Sequence, residues 1–224
     1  MELSKETLTI LKNFASINPN LLVKQGSVLN TMNAQKTIFA RAKLKEDFPV
    51  EFGIYDLSEF LGALALFDAA PDLRFEDKYV RMETPESSVK FYYAEPATLV
   101  YPQKSINFPG ADVEFTVKDQ DFQRILRASA TLSRAPDVAF ASDGGGSVSA
   151  QVADKNNPTS NVFHLDLGKA TENLEFRAYV KIDNMKMIPG EYRVAFSKRK
   201  ISHFVSADGN LEYFVALETD SKFE

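Results

Sequence analysis

The sequence predicts an α+β fold of two similar domains, each with helices packed on antiparallel sheets. Three observations carry that reading. Most apolar runs are short, alternate with polar residues and end at turn residues, the mark of strands. A few segments instead repeat their apolar residues at three- and four-residue steps, the mark of helices. The order of helices and strands in the first half of the 224-residue chain recurs in the second.

The first helix runs from Ser4 to Ile17. Leu3, Thr7, Ile10, Leu11, Phe14 and Ile17 form its apolar stripe, Ser4 is its N-cap, and Asn18-Pro19-Asn20 ends it. Leu21–Val23, Val28–Met32, Thr37–Ala42 and Val50–Tyr55 read as strands. Asp56-Leu57-Ser58-Glu59 resembles a capping box at the start of a helix from Leu57 to Phe67. Strands return at Leu73–Glu76, Tyr79–Glu83 and Val89–Tyr93. Residues 94–112, punctuated by Pro96, Pro102 and Pro109, have little period and read as an extended linker.

The pattern then restarts. A strand at Val113–Val117 leads into a helix from Lys118 to Arg134, with Phe122, Ile125, Leu126 and Leu132 on one side and Thr116 with Asp119 as a candidate capping box. Strands follow at Asp137–Ala141, Ser147–Val152, Asn161–Leu167 and Glu175–Lys181, the first two joined by a turn at Gly144-Gly145-Gly146. A helix-like piece from Asp183 to Met187 stops at Pro189-Gly190, and strands at Tyr192–Ser197, Ile201–Ser206 and Leu211–Glu218 close the chain. At an offset of 115 residues, Ile10, Leu11, Lys12 and Ile17 fall on Ile125, Leu126, Arg127 and Leu132. The expected organisation is a first domain at 1–100, an extended connector at 101–110 and a second domain at 111–224.

Composition excludes several classes of function. The chain is 44% hydrophobic and 25% charged, enough apolar residue for a sizeable core. Cysteine is absent, which removes disulfide scaffolds, thiol nucleophiles and cysteine-ligated metals. No apolar run approaches the ~18 residues of a membrane span. Met1–Glu6 has neither the basic nor the apolar region of a signal peptide, so a reducing cytosol is the expected compartment. His164 and His203 are isolated strand histidines, and no Walker A, His-Glu-x-x-His or Gly-x-Ser-x-Gly pattern occurs. No catalytic residue, metal site or cofactor is expected, although carboxylates are numerous enough to keep a two-carboxylate hydrolase open. Met185 and Met187 suit core packing or an adaptable binding surface.

Net charge is −5, from 26 Lys plus Arg against 31 Asp plus Glu, which by itself argues against a nucleic-acid partner. Its distribution argues otherwise. At about 100° per residue, Lys5 and Lys12 lie opposite the apolar stripe of the first helix, with Thr9 and Ser16 beside them. Arg124, Arg127 and Arg134 lie opposite the stripe of the matching helix in the second half, with Thr131 among them. Neither outer face carries an acid beyond the first turn, whereas solvated faces usually mix both signs. Cations and hydroxyls without aromatics suit the backbone of a duplex better than stacking on single strands.

Four sets of residues match a known family: Leu3-Ser4-Lys5-Glu6-Thr7 with Leu11-Lys12-Asn13-Phe14-Ala15; Ile54-Tyr55-Asp56-Leu57 with Phe60-Leu61-Gly62; Asn184-Met185-Lys186-Met187 with Pro189-Gly190; and Val215-Ala216-Leu217-Glu218 with Asp220-Ser221. In this order, over nearly the whole chain, they resemble the sliding clamps of T-even-type bacteriophages, the processivity factors of replicative DNA polymerases. The resemblance implies clamp-type domains that assemble head to tail into a six-domain trimeric ring, with helices lining a hole for duplex DNA and sheets forming the outer wall. It implies no enzymatic activity, and it implies as partners double-stranded DNA, the replicative DNA polymerase and a clamp-loader ATPase, in the cytoplasm of the infected bacterial host. Lys5, Lys12, Arg124, Arg127, Arg134 and Lys186 would face DNA. Partner peptides would dock in an apolar pocket, assigned to the connector at Val100, Ile106 and Phe108. The helix at Asp56, Ser58 and Glu59 departs from this pattern, having no lysine or arginine. A structural β-rich phage assembly protein is the alternative that the strand content and acidic balance leave open.

Overall fold

The computed structural model describes residues 1–132 and 134–224. The chain divides into two compact units, Met1–Ser105 and Ile106–Glu224.

The first unit opens with α1 (Lys5–Ile17). Ser4 caps it, its hydroxyl accepting from the Thr7 amide at 3.2 Å, and Thr7, Ile10, Leu11, Phe14 and Ile17 are its buried stripe. Strands β1 (Leu21–Val23), β2 (Gly26–Met32), β3 (Ile38–Phe48) and β4 (Phe52–Ile54) follow, with β1 paired to β4 and β2 to β3, both antiparallel. β3 is longer than the alternation suggests, because Leu44 and Phe48 continue its buried face on either side of the charged run Lys45-Glu46-Asp47. Helix α2 (Leu57–Leu64) starts at Asp56, whose Oδ1 accepts from the amides of Ser58 and Glu59. It ends three residues before the expected Phe67. Strands β5 (Asp72–Phe75), β6 (Tyr79–Glu83) and β7 (Ser88–Tyr92) form a three-stranded antiparallel sheet. Leu73, Val80 and Met82 are buried on its inner face, and Phe91 meets Phe60 of α2 edge-on at 5.2 Å. Gly53 is packed so closely under Ala94 that a Cβ would sit 2.4 Å from the Ala94 carbonyl oxygen. That close approach holds the start of the linker, which contains a 3₁₀ turn at Pro96–Thr98 instead of being extended throughout.

The second unit contains β8 (Val113–Val117), α3 (Asp119–Thr131), β9 (Asp137–Asp143), β10 (Ser147–Ala153), β11 (Phe163–Lys169), β12 (Glu175–Lys181), β13 (Tyr192–Ser197), β14 (Ile201–Ser206), β15 (Leu211–Ala216) and β16 (Lys222–Phe223). β8, β13, β14 and β15 are successive antiparallel neighbours, and a second sheet has the order β11-β10-β9-β12-β16. The two faces meet through phenylalanines: Phe115 lies 5.8 Å from Phe140, and Phe196 lies 5.4 Å from Phe140 and 6.0 Å from Phe176. Gly144 and Gly146, at φ of +84° and +81°, make the turn between β9 and β10.

Three sequence expectations need correction here. Thr116 lies inside β8, paired with Arg193, so it forms no capping box with Asp119; the residue before α3 is Lys118, without a side-chain cap. α3 ends at Thr131, because Leu132 leaves helical geometry at φ −91° and ψ 60°. The expected helix at Asp183–Met187 is a 3₁₀ turn at Ile182–Asn184, after which Met185 and Met187 are both buried and Pro189 forbids a helix.

The start of α1 is tied to β3 through Glu46, which accepts from the Thr7 hydroxyl at 2.6 Å and from the Ser4 amide. Burial pushes this carboxyl up, but those hydrogen bonds outweigh it and hold it below its ordinary value. A depressed carboxylate stabilises the fold above its unfolded-state value and stops doing so as pH falls through the folded one. Glu46→Gln is expected to cost about 1 kcal/mol at pH 7. Paired denaturation curves of parent and variant should converge below the ordinary value of 4.5.

Candidate nucleic-acid interface

Burial of one helix face fixes the direction of the other. With Ile10, Leu11, Phe14 and Ile17 in the core, Lys5, Thr9, Lys12 and Ser16 are exposed. The hydroxyls bond back to their own helix, Thr9 to the Lys5 carbonyl at 2.9 Å and Ser16 to the Asn13 carbonyl at 2.6 Å. The lysines are therefore the groups that reach outward, and neither has a carboxylate within ion-pair distance among the described residues.

α3 repeats this arrangement. Phe122 and Ile125 are buried, with Phe122 5.4 Å from the ring of Tyr192. Arg124, Arg127 and Thr131 are exposed on the other side. Thr131 donates to the Arg127 carbonyl at 2.9 Å, and Arg124 is 3.7 Å from Asp121. Beside this face lies a groove of about 430 Å³ between Arg124, Arg127 and Leu132 on one side and Val162 and Phe163 on the other.

The six expected DNA-facing residues thus divide. Lys5 and Lys12 share the outer face of α1, and Arg124 and Arg127 share that of α3. Arg134 is exposed but sits in the turn beyond α3, and Lys186 is exposed in the chain after the 3₁₀ turn, so neither belongs to a helix face. α2 exposes Ser58, Glu59 and Gly62 and contributes no cation.

The connector residues are held differently from one another. Val100 belongs to the first unit; its side chain is exposed, while its amide donates to Asn20 at 2.9 Å and its carbonyl accepts from Asn18 at 2.7 Å. Phe108 belongs to the second unit and is half-buried, its ring 5.1 Å from His203 of β14. His203 also stacks on Phe214 at 4.3 Å and bonds Glu212 at 2.9 Å. Ile106 is half-buried in the second unit. Among the described residues no cluster of potential metal ligands occurs, and no helix is long and apolar enough to cross a membrane.

Solved structures with the same arrangement of antiparallel sheets and helices match nearly the whole chain. A structure of A. fulgidus PCNA with the C-terminal region of FEN-1 bound has a TM-score of 0.73 at 13% identity, covering 99% of this chain and 98% of that one. Proliferating Cellular Nuclear Antigen from Entamoeba histolytica has a TM-score of 0.69 at 14% identity, covering 95% and 94%. Sequence comparison narrows the class. Residues 4–101 match the family model described as DNA polymerase processivity factor, and residues 114–219 match that of the gp45 sliding clamp, C terminal. The sliding clamp of Vibrio phage KVP40 is 33% identical over 97% of this chain and 99% of its own length. That of Enterobacteria phage T4 is 32% identical over 99% and 98%. The chain belongs to the bacteriophage sliding-clamp family of DNA polymerase processivity factors.

The different settings of the connector residues have a measurable consequence. Phe108→Ala is expected to lower stability by about 1 kcal/mol or more through lost ring contact. Val100→Ala should stay within about 0.5 kcal/mol of the parent. Thermal or denaturant unfolding of the two variants side by side checks this.

Proposed function

We propose that three copies of the chain close head to tail into a six-domain ring that encircles duplex DNA and tethers the replicative DNA polymerase during processive replication. The observation that carries this reading is the pair of helices α1 and α3, each buried on its apolar stripe and each presenting cations without an acid beyond the first turn. Lys5, Lys12, Arg124 and Arg127 face the duplex from these helices, with Arg134 and Lys186 approaching from loops. Their contacts are to phosphates, without sequence preference, and weak enough for sliding.

The free sheet edges suit such a ring. The edge of β5 is closed by Met1, which exchanges backbone bonds with Leu73, and the edge of β12 is closed by β16. β7 in the first unit and β11 in the second are terminal strands of their sheets. Pairing β7 of one copy with β11 of the next covers both edges and, repeated three times, closes a ring. Val162, 58% exposed and immediately before β11, lies in the segment that such a contact would cover.

Retention is then topological. The clamp makes and breaks no bond; a polymerase held to it stays at high effective concentration at the primer end. A clamp-loader ATPase opens the ring, and partner segments dock at the connector, residues 101–110 between domains 1–100 and 111–224, near Val100, Ile106 and Phe108. The two family matches, which end at 101 and resume at 114, support that division, and the FEN-1 segment on the A. fulgidus PCNA neighbour supports peptide docking. The work is done in the cytoplasm of an infected bacterium, a reading that the phage origin of the relatives supports. Nothing in the comparisons favours a structural assembly protein.

Combining Lys12→Glu with Arg127→Glu is expected to shorten polymerase products on a primed circular template at least tenfold while leaving the melting temperature unchanged. Product lengths across a salt series check this; equal lengths at every salt concentration would remove both residues from the DNA surface. Val162→Glu is expected to raise the concentration at which the trimer dissociates at least tenfold, read by sedimentation. An unchanged trimer would place the contact elsewhere.

A further inference from the structure

The outward face of the β5-β6-β7 sheet carries charges that the contacts within one copy leave unbalanced. Its register sets Arg74 directly opposite Arg81, and Arg81 directly opposite Lys90. Like charges facing each other across neighbouring strands are destabilising, so an unbroken row of three needs a counter-charge. Only one end of the row has one. Arg74 is 2.8 Å from Glu83 and 3.2 Å from Asp72, and Asp72 also holds the Met1 amine. Those two acids are thereby taken up by Arg74 and the amine. Arg81 and Lys90 have no carboxylate within ion-pair distance among the described residues. The neighbouring Tyr79 hydroxyl, with Glu83 and Glu76 as more distant charges, holds the Arg81 guanidinium above its ordinary value.

The next row on the same face is aromatic. Tyr79 is in register with Tyr92, their rings are 5.5 Å apart, and the Lys90 ammonium lies 5.0 Å from the Tyr79 ring centre. Tyr92 is 65% exposed. A hydrophobic side chain so open, backed by a second ring and flanked by two cations without ion pairs, is a platform with one vacant face. Three strands about 4.8 Å apart spread the cations over about 10 Å, more than a single small anion needs.

We propose that this face binds single-stranded DNA, with Arg81 and Lys90 on backbone phosphates and a base stacked on Tyr92. Aromatic rings beside cations on a sheet are the requirement for unpaired strands, whereas a duplex offers no base face to stack on. The helix faces α1 and α3, cationic but without aromatics, present the opposite chemistry. Pairing of the β7 edge to another copy uses backbone groups and keeps these side chains on the outer face, where exposed residues of that copy's β11, His164 and Asp166, join them. The surface stands on its own geometry and does not depend on the ring.

The test is fluorescence anisotropy of an end-labelled oligo-dT titrated with the full chain at low salt. Because the chain has no tryptophan, quenching of its tyrosine emission gives a second reading. Tyr92→Ala should weaken binding about tenfold, and Tyr92→Phe should restore it. Arg81→Glu with Lys90→Glu should weaken binding at least tenfold and make the salt dependence shallower by about 0.7 per lost phosphate contact. Lys12→Glu with Arg127→Glu should leave oligo-dT binding unchanged while impairing duplex-dependent processivity, which separates this surface from the proposed hole. Unchanged oligo-dT affinity in both outer-face variants, or loss only in the helix variants, would overturn the proposal.

Discussion

The burial of one stripe on each of two amphipathic helices is the constraint on which the rest depends. Phe14 in α1 and Phe122 in α3 are almost wholly excluded from solvent. Once those rings are in the core, helical geometry leaves Lys12 and Arg127 nowhere to go but outward. The cations are thus positioned by packing and not by ion pairs, which keeps them available for phosphate. The same packing explains why an acidic chain can carry two cationic helix faces. Residues 1–17 and 118–134 hold six basic and four acidic residues, while the remainder holds 20 basic and 27 acidic. An acidic remainder discourages nonproductive contact elsewhere, so that sign and position together select the partner.

Local signals made much of the fold legible. Ser4 caps α1 and Asp56 caps α2 as their positions imply, and the strands at Leu21–Val23, Tyr79–Glu83, Val113–Val117, Glu175–Lys181, Tyr192–Ser197 and Ile201–Ser206 have the bounds their alternation gives. The failures share a cause. Thr116 and Asp119 have capping-box spacing, but Thr116 is claimed by its pairing with Arg193, a partner distant in sequence. Arg134 continues the helical pattern on paper, yet α3 stops at Thr131 without a glycine or proline to announce it. Met185 and Met187 are two residues apart, and both are buried, which extended chain achieves and a helix would not.

The candidate site divides along the same line. Lys5, Lys12, Arg124 and Arg127 could be read because helix periodicity is a local property of the sequence. The row of Arg74, Arg81 and Lys90 could not, because it exists only once strand register brings three separate segments side by side. The polar alternation of Tyr79, Arg81 and Glu83 against Ser88, Lys90 and Tyr92 was the only trace of it in the sequence.

Linkage without tight binding is the central claim, and DNA topology tests it most directly. Protein loaded by its clamp loader onto nicked circular duplex, then freed of loader, should co-migrate with the circle through gel filtration and be released when the circle is cut once. Equal retention on circular and linear DNA, or equal loss from both, would contradict encirclement.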